Sequence, residues 1–229
     1  MFFKSKNKKA KLDKLDLKIA GKSIERVKET KFLGIFIDER LDWSHHIAKT
    51  RIKIAKGTGI IFKAKKFLNE STLITLYYSF VYPYLHYGII AWGNTYDTHL
   101  DSLIKIQKRA IRLITHSEWL AHTAPLFHRL KLLNLKNIYT MNVMLFMFKC
   151  YHGMLPPVFD GMFILNSSVH VYHTRQSNLY HSPKWRLEVV RRSVRVQGVA
   201  IWNMFASKIS HECSIATFKH HVKYALLNK

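Results

Sequence analysis

Residues 97–115 read DTHLDSLIKIQKRAIRLIT, and this stretch decides the fold. Leu100, Leu103, Ile104, Gln107, Ala110, Ile111 and Ile114 recur at steps of three and four, the spacing that lines one face of a helix. Lys105, Lys108, Arg109 and Arg112 collect on the other side. The pattern predicts an amphipathic helix with a buried face and a cationic one. Helical periods continue upstream, where Ile47, Ile54 and Ile61 return every seven positions with Ala48, Ala55 and Phe62 beside them. Lys49, Lys53, Lys56 and Lys63 step along another face of that long helix. Between the two, residues 69–72 offer helix-start chemistry for a Tyr-rich helix that Pro83 must kink or end, and residues 84–92 form a second piece. Downstream, residues 123–130 read as a short helix. Residues 137–148 are very apolar, but Lys136 and Lys149 bound them after twelve positions, where a bilayer span needs about 20. They read as a buried core helix begun by Asn134 or Asn137.

The ends of the chain are less regular. Leu15, Leu17 and Ile19 alternate with polar residues, Gly21-Lys22 suggests a turn, and residues 24–27 can return as a partner strand. The run FLGIFI at 32–37 fits one buried strand. Residues 166–183, NSSVHVYHTRQSNLYHSP, are polar and without helical period, as expected of an extended or looped linker. Residues 189–196 are short and β-branched, and two helices follow at 199–209 and 214–227, the last with Ile215, Phe218, Val222 and Leu226 facing inward. The expected fold class is mainly α with a small N-terminal β-hairpin/strand element. Its divisions are a basic leader (1–13), a hairpin and strand (14–42), a helical region (43–165) and a C-terminal extension (166–229).

Composition narrows the partner. The 229 residues hold 37 Lys+Arg against 14 Asp+Glu, a formal charge of +23, while 48% apolar residues are too many for a disordered basic tail. Residues 1–66 carry 19 of those cations and 7 of the acids. Such a field concentrates polyanions, and phosphate contacts release condensed counterions, so nucleic acid is the expected partner and a membrane is not. Two cysteines, Cys150 and Cys213, and lysines where a secretory signal needs its apolar core fit a reducing, intracellular setting.

Candidate chemistry is sparse. His99-Leu100-Asp101 matches half of a facial triad, but it lies within the amphipathic helix and reads as structural. No second Cys stands near Cys150 or Cys213, as zinc would need, and neither a nucleophile elbow nor a glycine-rich phosphate loop occurs. Phe36-Ile37-Asp38-Glu39 superficially resembles the paired-acid element with which polymerases hold two metals, yet its second acid is Glu and acids commonly end a strand at a turn. The aromatics Tyr77, Tyr78, Tyr82, Tyr84, Tyr87 and Trp92 read as core before they read as a stacking surface.

Seven ordered blocks then carry a resemblance: VKETKFLGIFIDERLDWSHHI, LYYSFVYPYLHYGIIAWGNTY, LDSLIKIQKRAIRLIT, HTAPLFHRLKLLNL, MLPPVF, YHTRQS and IWNMF. Together they resemble the C-terminal part of reverse transcriptases from jockey-type non-LTR retrotransposons, over residues 14–229. The resemblance implies a thumb-like helical bundle and a helical post-polymerase extension. It also implies that the metal-binding Asp-Asp lies upstream of the FLG block, so Asp38 and Glu39 are not that pair. Mg2+ would then belong to a palm outside this chain, and no cofactor is expected in the chain itself. A shorter likeness, of KETKFLGIFIDERLDWS to the N-terminal part of an AlkB-type DNA-repair protein, brings neither a jelly-roll strand pattern nor an iron triad.

The function expected from the resemblance is that of a reverse-transcriptase fragment without the catalytic palm aspartates, which retains template–primer binding. Its partners would be RNA, an RNA–DNA duplex and the palm and fingers of the parent polyprotein. The expected phosphate contacts are Lys49, Lys53, Lys56, Lys105, Lys108, Arg109, Arg112, Arg175, Arg191 and Arg192. The alternative is a host-retained, non-catalytic basic protein that binds RNA or protein partners.

Overall fold

In the computed structural model the described residues are 1, 3, 17–169, 175–182, 184–205, 209 and 212–228. Most of the basic leader, residue 15 of the first alternating segment and residues 170–174 therefore lie outside the described residues.

Two small hairpins precede the helices. β1 (Lys18–Ile19) pairs antiparallel with β2 (Lys22–Ser23), and β3 (Glu29–Phe32) pairs antiparallel with β4 (Ile35–Asp38). Each turns through two residues with positive φ, Ala20-Gly21 at 49° and 78° and Leu33-Gly34 at 47° and 83°. Positive φ at both positions is the type I′ geometry, whose twist matches that of the strands it joins. Two expectations need correction. The first turn is Ala20-Gly21, with Lys22 already paired to Ile19, and the return strand is Lys22–Ser23, ahead of residues 24–27. FLGIFI is not one buried strand: Gly34 folds it back on itself, and Phe32 and Leu33 are exposed.

The hairpin β3–β4 rests on the helices. Ile35 sits where a Cβ on Gly88 would stand, 2.4 Å from its Cδ1, and Gly88 itself has φ +60°. Only glycine meets both conditions. The Tyr87 hydroxyl donates to the Leu33 carbonyl and so fastens the hairpin tip.

The helices are α1 (Ser44–Ala64), α2 (Glu70–Phe80), α3 (Tyr82–His86), α4 (Ile89–Trp92), α5 (Asp97–Ile114), α6 (Thr123–Arg129) and α7 (Leu135–Tyr151). After a single 3-10 turn come α8 (Asn166–Val169), α9 (Glu188–Arg191), α10 (Val194–Phe205) and α11 (Ile215–Leu227). Polar side chains start three of them: Asn69, Asn134 and Ser214 accept the backbone N–H groups of Thr72, Asn137 and Thr217. These donors would otherwise be orphaned at a helix start. Pro83 stands in the first turn of α3, where its missing N–H costs nothing.

Packing divides around two partnerships that share one core. α1 lies along α5 and α2, while α7 lies against α10 and α11 and touches α3, α4 and α5. α1 meets α2 closely at Gly57, where a Cβ would come within 2.4 Å of the Phe80 carbonyl oxygen. α7 buries residues around much of its circumference, among them Leu135, Ile138, Tyr139, Met144, Met147 and Phe148. Phe148 stacks on Phe218 with centroids 4.4 Å apart, and Trp202 packs on the same phenylalanine. No helix among the described residues is long and apolar enough to cross a membrane.

Four further readings are corrected here. Ala48, Ala55 and Phe62 are exposed, because the isoleucine line of α1 faces the core together with Thr50, Gly57 and Thr58. Residues 189–196 are helical, in α9 and the start of α10. Ile215 is exposed, whereas Phe218, Val222 and Leu226 are buried. The segment read as a linker is helical over α8 and then hydrogen-bonded back, with Tyr180 and Asn203 exchanging two bonds of 3.1 and 2.8 Å.

Candidate nucleic-acid interface

α1 owes its position to the acid that ends β4. The Asp38 carboxylate accepts the backbone N–H groups of Arg40 (2.9 Å), Asp42 (3.2 Å) and Trp43 (2.9 Å). It thereby closes the loop that delivers the chain into the helix. The Asp-Glu pair weighed above for metal chemistry thus has its first carboxylate engaged by backbone. Thr95 adds a second tie, its hydroxyl donating to the Asp42 carbonyl at 2.6 Å.

The buried face of α1 includes one titratable group, His46. Phe36 N–H donates to its Nδ1 at 3.4 Å, so Nε2 carries the proton and points at Thr50 Oγ1, 3.5 Å away. Burial lowers the His46 pKa to about 4, helped by the positive charge of Lys53 and by His45. The imidazole is therefore neutral near pH 7, packed on Trp92 with ring centroids 5.4 Å apart.

The outer side of α1 carries Lys49, Arg51, Lys53, Lys56 and Lys63, and the helix has no Asp or Glu. Lys49, Lys53 and Lys56 are exposed, and among the described residues no carboxylate pairs with them. Lys53 Nζ lies 5.3 Å from the centre of the half-exposed Tyr84 ring. Exposed Ala48, Ile52 and Ala55 separate the cations, leaving a face over which a large anion can approach the helix backbone.

The cations of α5 are placed differently. Lys105 pairs with Asp101 at 2.6 Å. Arg112 is half-buried, and its Nε donates to the Ala121 carbonyl at 2.9 Å. Lys108 and Arg109 are exposed, with the Arg109 guanidinium over the Trp119 ring at 5.4 Å. On the inward face Gln107 is 1% exposed and makes three hydrogen bonds. Nε2 donates to the Tyr77 hydroxyl (2.9 Å) and the Leu133 carbonyl (3.0 Å), and Oε1 accepts the Leu135 N–H (2.9 Å). Burial pushes the Tyr77 hydroxyl pKa well above the usual range, against the smaller opposing effect of the Gln107 bond.

The C-terminal candidates separate in the same way. Arg175 is exposed. Arg191 pairs with Glu188 at 3.2 Å. Arg192 binds Glu188 through Nε (2.8 Å) and the Asn94 carbonyl through Nη1 (3.1 Å), and lies 4.1 Å over the Tyr96 ring. Asn94 returns a bond to the Arg192 carbonyl. Arg192 is thus a clamp between α9 and the turn before α5. Beside it, Arg40, Trp43, Thr95 and Tyr96 help line a cleft of about 30 Å³, room for a couple of waters but not a nucleotide.

Sequence reasoning missed the backbone partners of Arg112 and Arg192, which stand 9 and 98 positions away. For Arg192 one local signal existed, the i, i+4 spacing from Glu188. It also missed Trp119, whose neighbours in sequence lack any period. His99 and Asp101 do not act together, since Asp101 is taken by Lys105. Among the described residues no group of three or more His, Cys, Asp or Glu is arranged to hold a metal ion.

Fold and charge together define a mainly helical, basic chain with cationic outer faces on α1 and α5. That chain is similar to RNA-directed DNA polymerases of jockey-type mobile elements. It is 34% identical over 106 residues to the probable RNA-directed DNA polymerase from transposon X-element of Drosophila melanogaster, a match covering 44% of this chain and 12% of the relative. With the RNA-directed DNA polymerase from mobile element jockey it shares 29% identity over 115 residues in Drosophila melanogaster and 28% over 109 residues in Drosophila funebris. Those two matches cover 48% and 46% of this chain, and again 12% of each relative. The resemblance read from the seven blocks is borne out by these relatives. No protein-family model and no solved structure matches the chain.

Proposed function

We propose that this chain is the template–primer-holding part of a jockey-type reverse transcriptase, a thumb-like region over 43–165 with a C-terminal extension over 166–229. It grips RNA and RNA–DNA duplex by their phosphates. Joining of nucleotides by two Mg2+ ions is assigned to the palm of the parent polymerase and to none of the residues of this chain. Helices α1 and α5 hold the duplex, and the palm and fingers are the protein partners.

The observation that carries this reading is the outer face of α1, about six turns of helix with five cations, no acid and exposed lysines that no carboxylate among the described residues pairs with. Paired surface charges gain little from a phosphate because they must first leave their partner, whereas free ones release a counterion for each contact. Similarity to RNA-directed DNA polymerases supports the choice of an RNA–DNA duplex over other polyanions.

Titration of a labelled RNA–DNA duplex in rising salt tests it. If Lys49, Lys53, Lys56, Lys108, Arg109 and Arg175 each neutralise one phosphate, log K against log salt has a slope near −5, so affinity falls about 10³-fold from 50 to 200 mM salt. Replacing Lys49, Lys53 and Lys56 together by Glu lowers affinity by at least about 100-fold and makes the slope shallower by about three, with no change in melting temperature. Binding that is absent, or flat across that salt range, overturns the proposal.

A further inference from the structure

The loop between α5 and α6 holds a tryptophan in solvent. Trp119 is 67% exposed and Leu120 beside it 84%. The indole nevertheless has a partner. Arg109 lies over the ring, its guanidinium carbon 5.4 Å from the centroid, within cation–π range. On either side of Trp119 in sequence the loop is tied to the end of α5. Arg112 Nε donates to the Ala121 carbonyl at 2.9 Å, Ser117 N–H to the Arg112 carbonyl at 3.0 Å, and the Thr115 and Ser117 hydroxyls bond at 2.7 Å.

An indole with a guanidinium over it and two thirds of its surface exposed, on a loop tied to the end of a helix, is a shelf for another flat π system. Its neighbours select the occupant. Residues 105–122 contain four Lys or Arg and one carboxylate, Glu118, and Lys108 and Arg109 are exposed without carboxylate partners among the described residues. Exposed His116, Glu118 and His122 flank the two apolar side chains in sequence, and two such residues make a small apolar area for a protein contact. Stacking on an aromatic ring, with cations on the adjoining phosphates, is how unpaired bases are held whatever their sequence. Bases inside a duplex have both faces covered and cannot use it.

We infer that Trp119 is the stacking platform for an unpaired nucleobase of a single strand, with Lys108 and Arg109 on its phosphates. The inference rests on the nucleic-acid reading above and specifies the strand state that this end of α5 recognises.

The test compares the full chain with Trp119→Ala and Trp119→Phe, titrating a labelled single-stranded oligo(U) of about 20 nucleotides and a blunt RNA–DNA duplex of the same length. Trp119→Ala weakens single-strand binding about tenfold and duplex binding less than about twofold, and Trp119→Phe, which keeps a ring, restores most of the loss. Single-strand affinity unchanged in Trp119→Ala, or an equal loss on both ligands, overturns the inference. Unchanged affinity together with loss of self-association in sedimentation assigns the shelf to a protein contact and also overturns it. If the wild type binds duplex with the expected salt slope while Trp119→Ala has no effect, only the stacking platform falls. If the wild type binds neither ligand, the nucleic-acid reading falls and takes this one with it.

Discussion

α1 and α5 pack along one another, and both look cationic on their outer sides, yet their charges are differently committed. On α1 the exposed Lys49, Lys53 and Lys56 have no acidic partner among the described residues. On α5 one of four cations is paired with Asp101, one is tied to a carbonyl, one lies over an indole, and Lys108 has no carboxylate partner among the described residues. Charge on a helix face is therefore not the same quantity as charge available to a ligand. The two helices should answer substitution in different measurements: the outer face of α1 in affinity, and the residues of α5 that reach backbone in stability.

The largest stability effect expected from α5 is at Gln107. Replacement by Leu keeps roughly the volume but strips the Leu133 carbonyl and the Leu135 N–H of their partner. The second of these is an orphan donor in the first turn of α7, which the Asn134 cap leaves to Gln107 because that side chain accepts from Asn137 instead. Buried groups left unpaired cost about 1–3 kcal/mol each, for a total of about 3–4 kcal/mol. At this chain length that lowers the melting temperature by about 10 °C. A loss of only one or two degrees would show that Gln107 is dispensable and that α5 is no more structural than α1.

A somewhat smaller effect tests the inner face of α1. The His46 pKa is about 4 in the folded chain against an ordinary value of 6.5, because burial disfavours the imidazolium. Below pH 6.5 the unfolded chain binds a proton that the folded chain refuses, so the contribution is complete above that pH and declines as pH falls toward 4. The loss approaches about 3 kcal/mol. Protonation also destroys the acceptor that receives the Phe36 N–H, so the hairpin β3–β4 should loosen first. Urea midpoints measured from pH 7 to 4 check this, with His46→Gln as the control. Parallel pH profiles for variant and wild type would mean that the imidazole is hydrated and that α1 is held by its isoleucines alone.

What could be read from the sequence divides along a physical line. The α5 stripe, the Asn caps of α2 and α7 and the proline break before α3 were legible, because each is settled by residues within a turn or two of one another. Leu33-Gly34 was hidden, since six apolar residues satisfy a strand template and a positive φ at leucine has no signature in composition. The flank of the α1 isoleucine line was misread toward Ala48, Ala55 and Phe62. Its true neighbours, Thr50, Gly57 and Thr58, are small because α2 and α5 come close there. For the candidate interface, exposed Lys49, Lys53, Lys56 and Lys108 follow from helical spacing alone. The commitment of Arg192 depends on a carbonyl 98 positions away that no local pattern reveals.

Arg112 gives the smallest and most discriminating test. It stands among the cations of α5, so spacing makes it a phosphate ligand, while its 2.9 Å bond to the Ala121 carbonyl makes it a brace for the loop after the helix. Arg112→Lys separates the two roles, since it keeps the positive charge and loses the fixed planar donor. A half-buried hydrogen bond from a charged donor is worth about 1.5 kcal/mol, so the melting temperature should fall by about 3–6 °C. Duplex affinity at fixed salt should stay within about twofold, because the charge is kept and a brace to the Ala121 carbonyl is not itself a phosphate contact. The reverse outcome, an unchanged melting temperature with affinity reduced fivefold or more, would make Arg112 a bidentate phosphate ligand. α5 would then grip the duplex as directly as α1, and the distinction between free and committed charge would fail at the residue where it is drawn most finely.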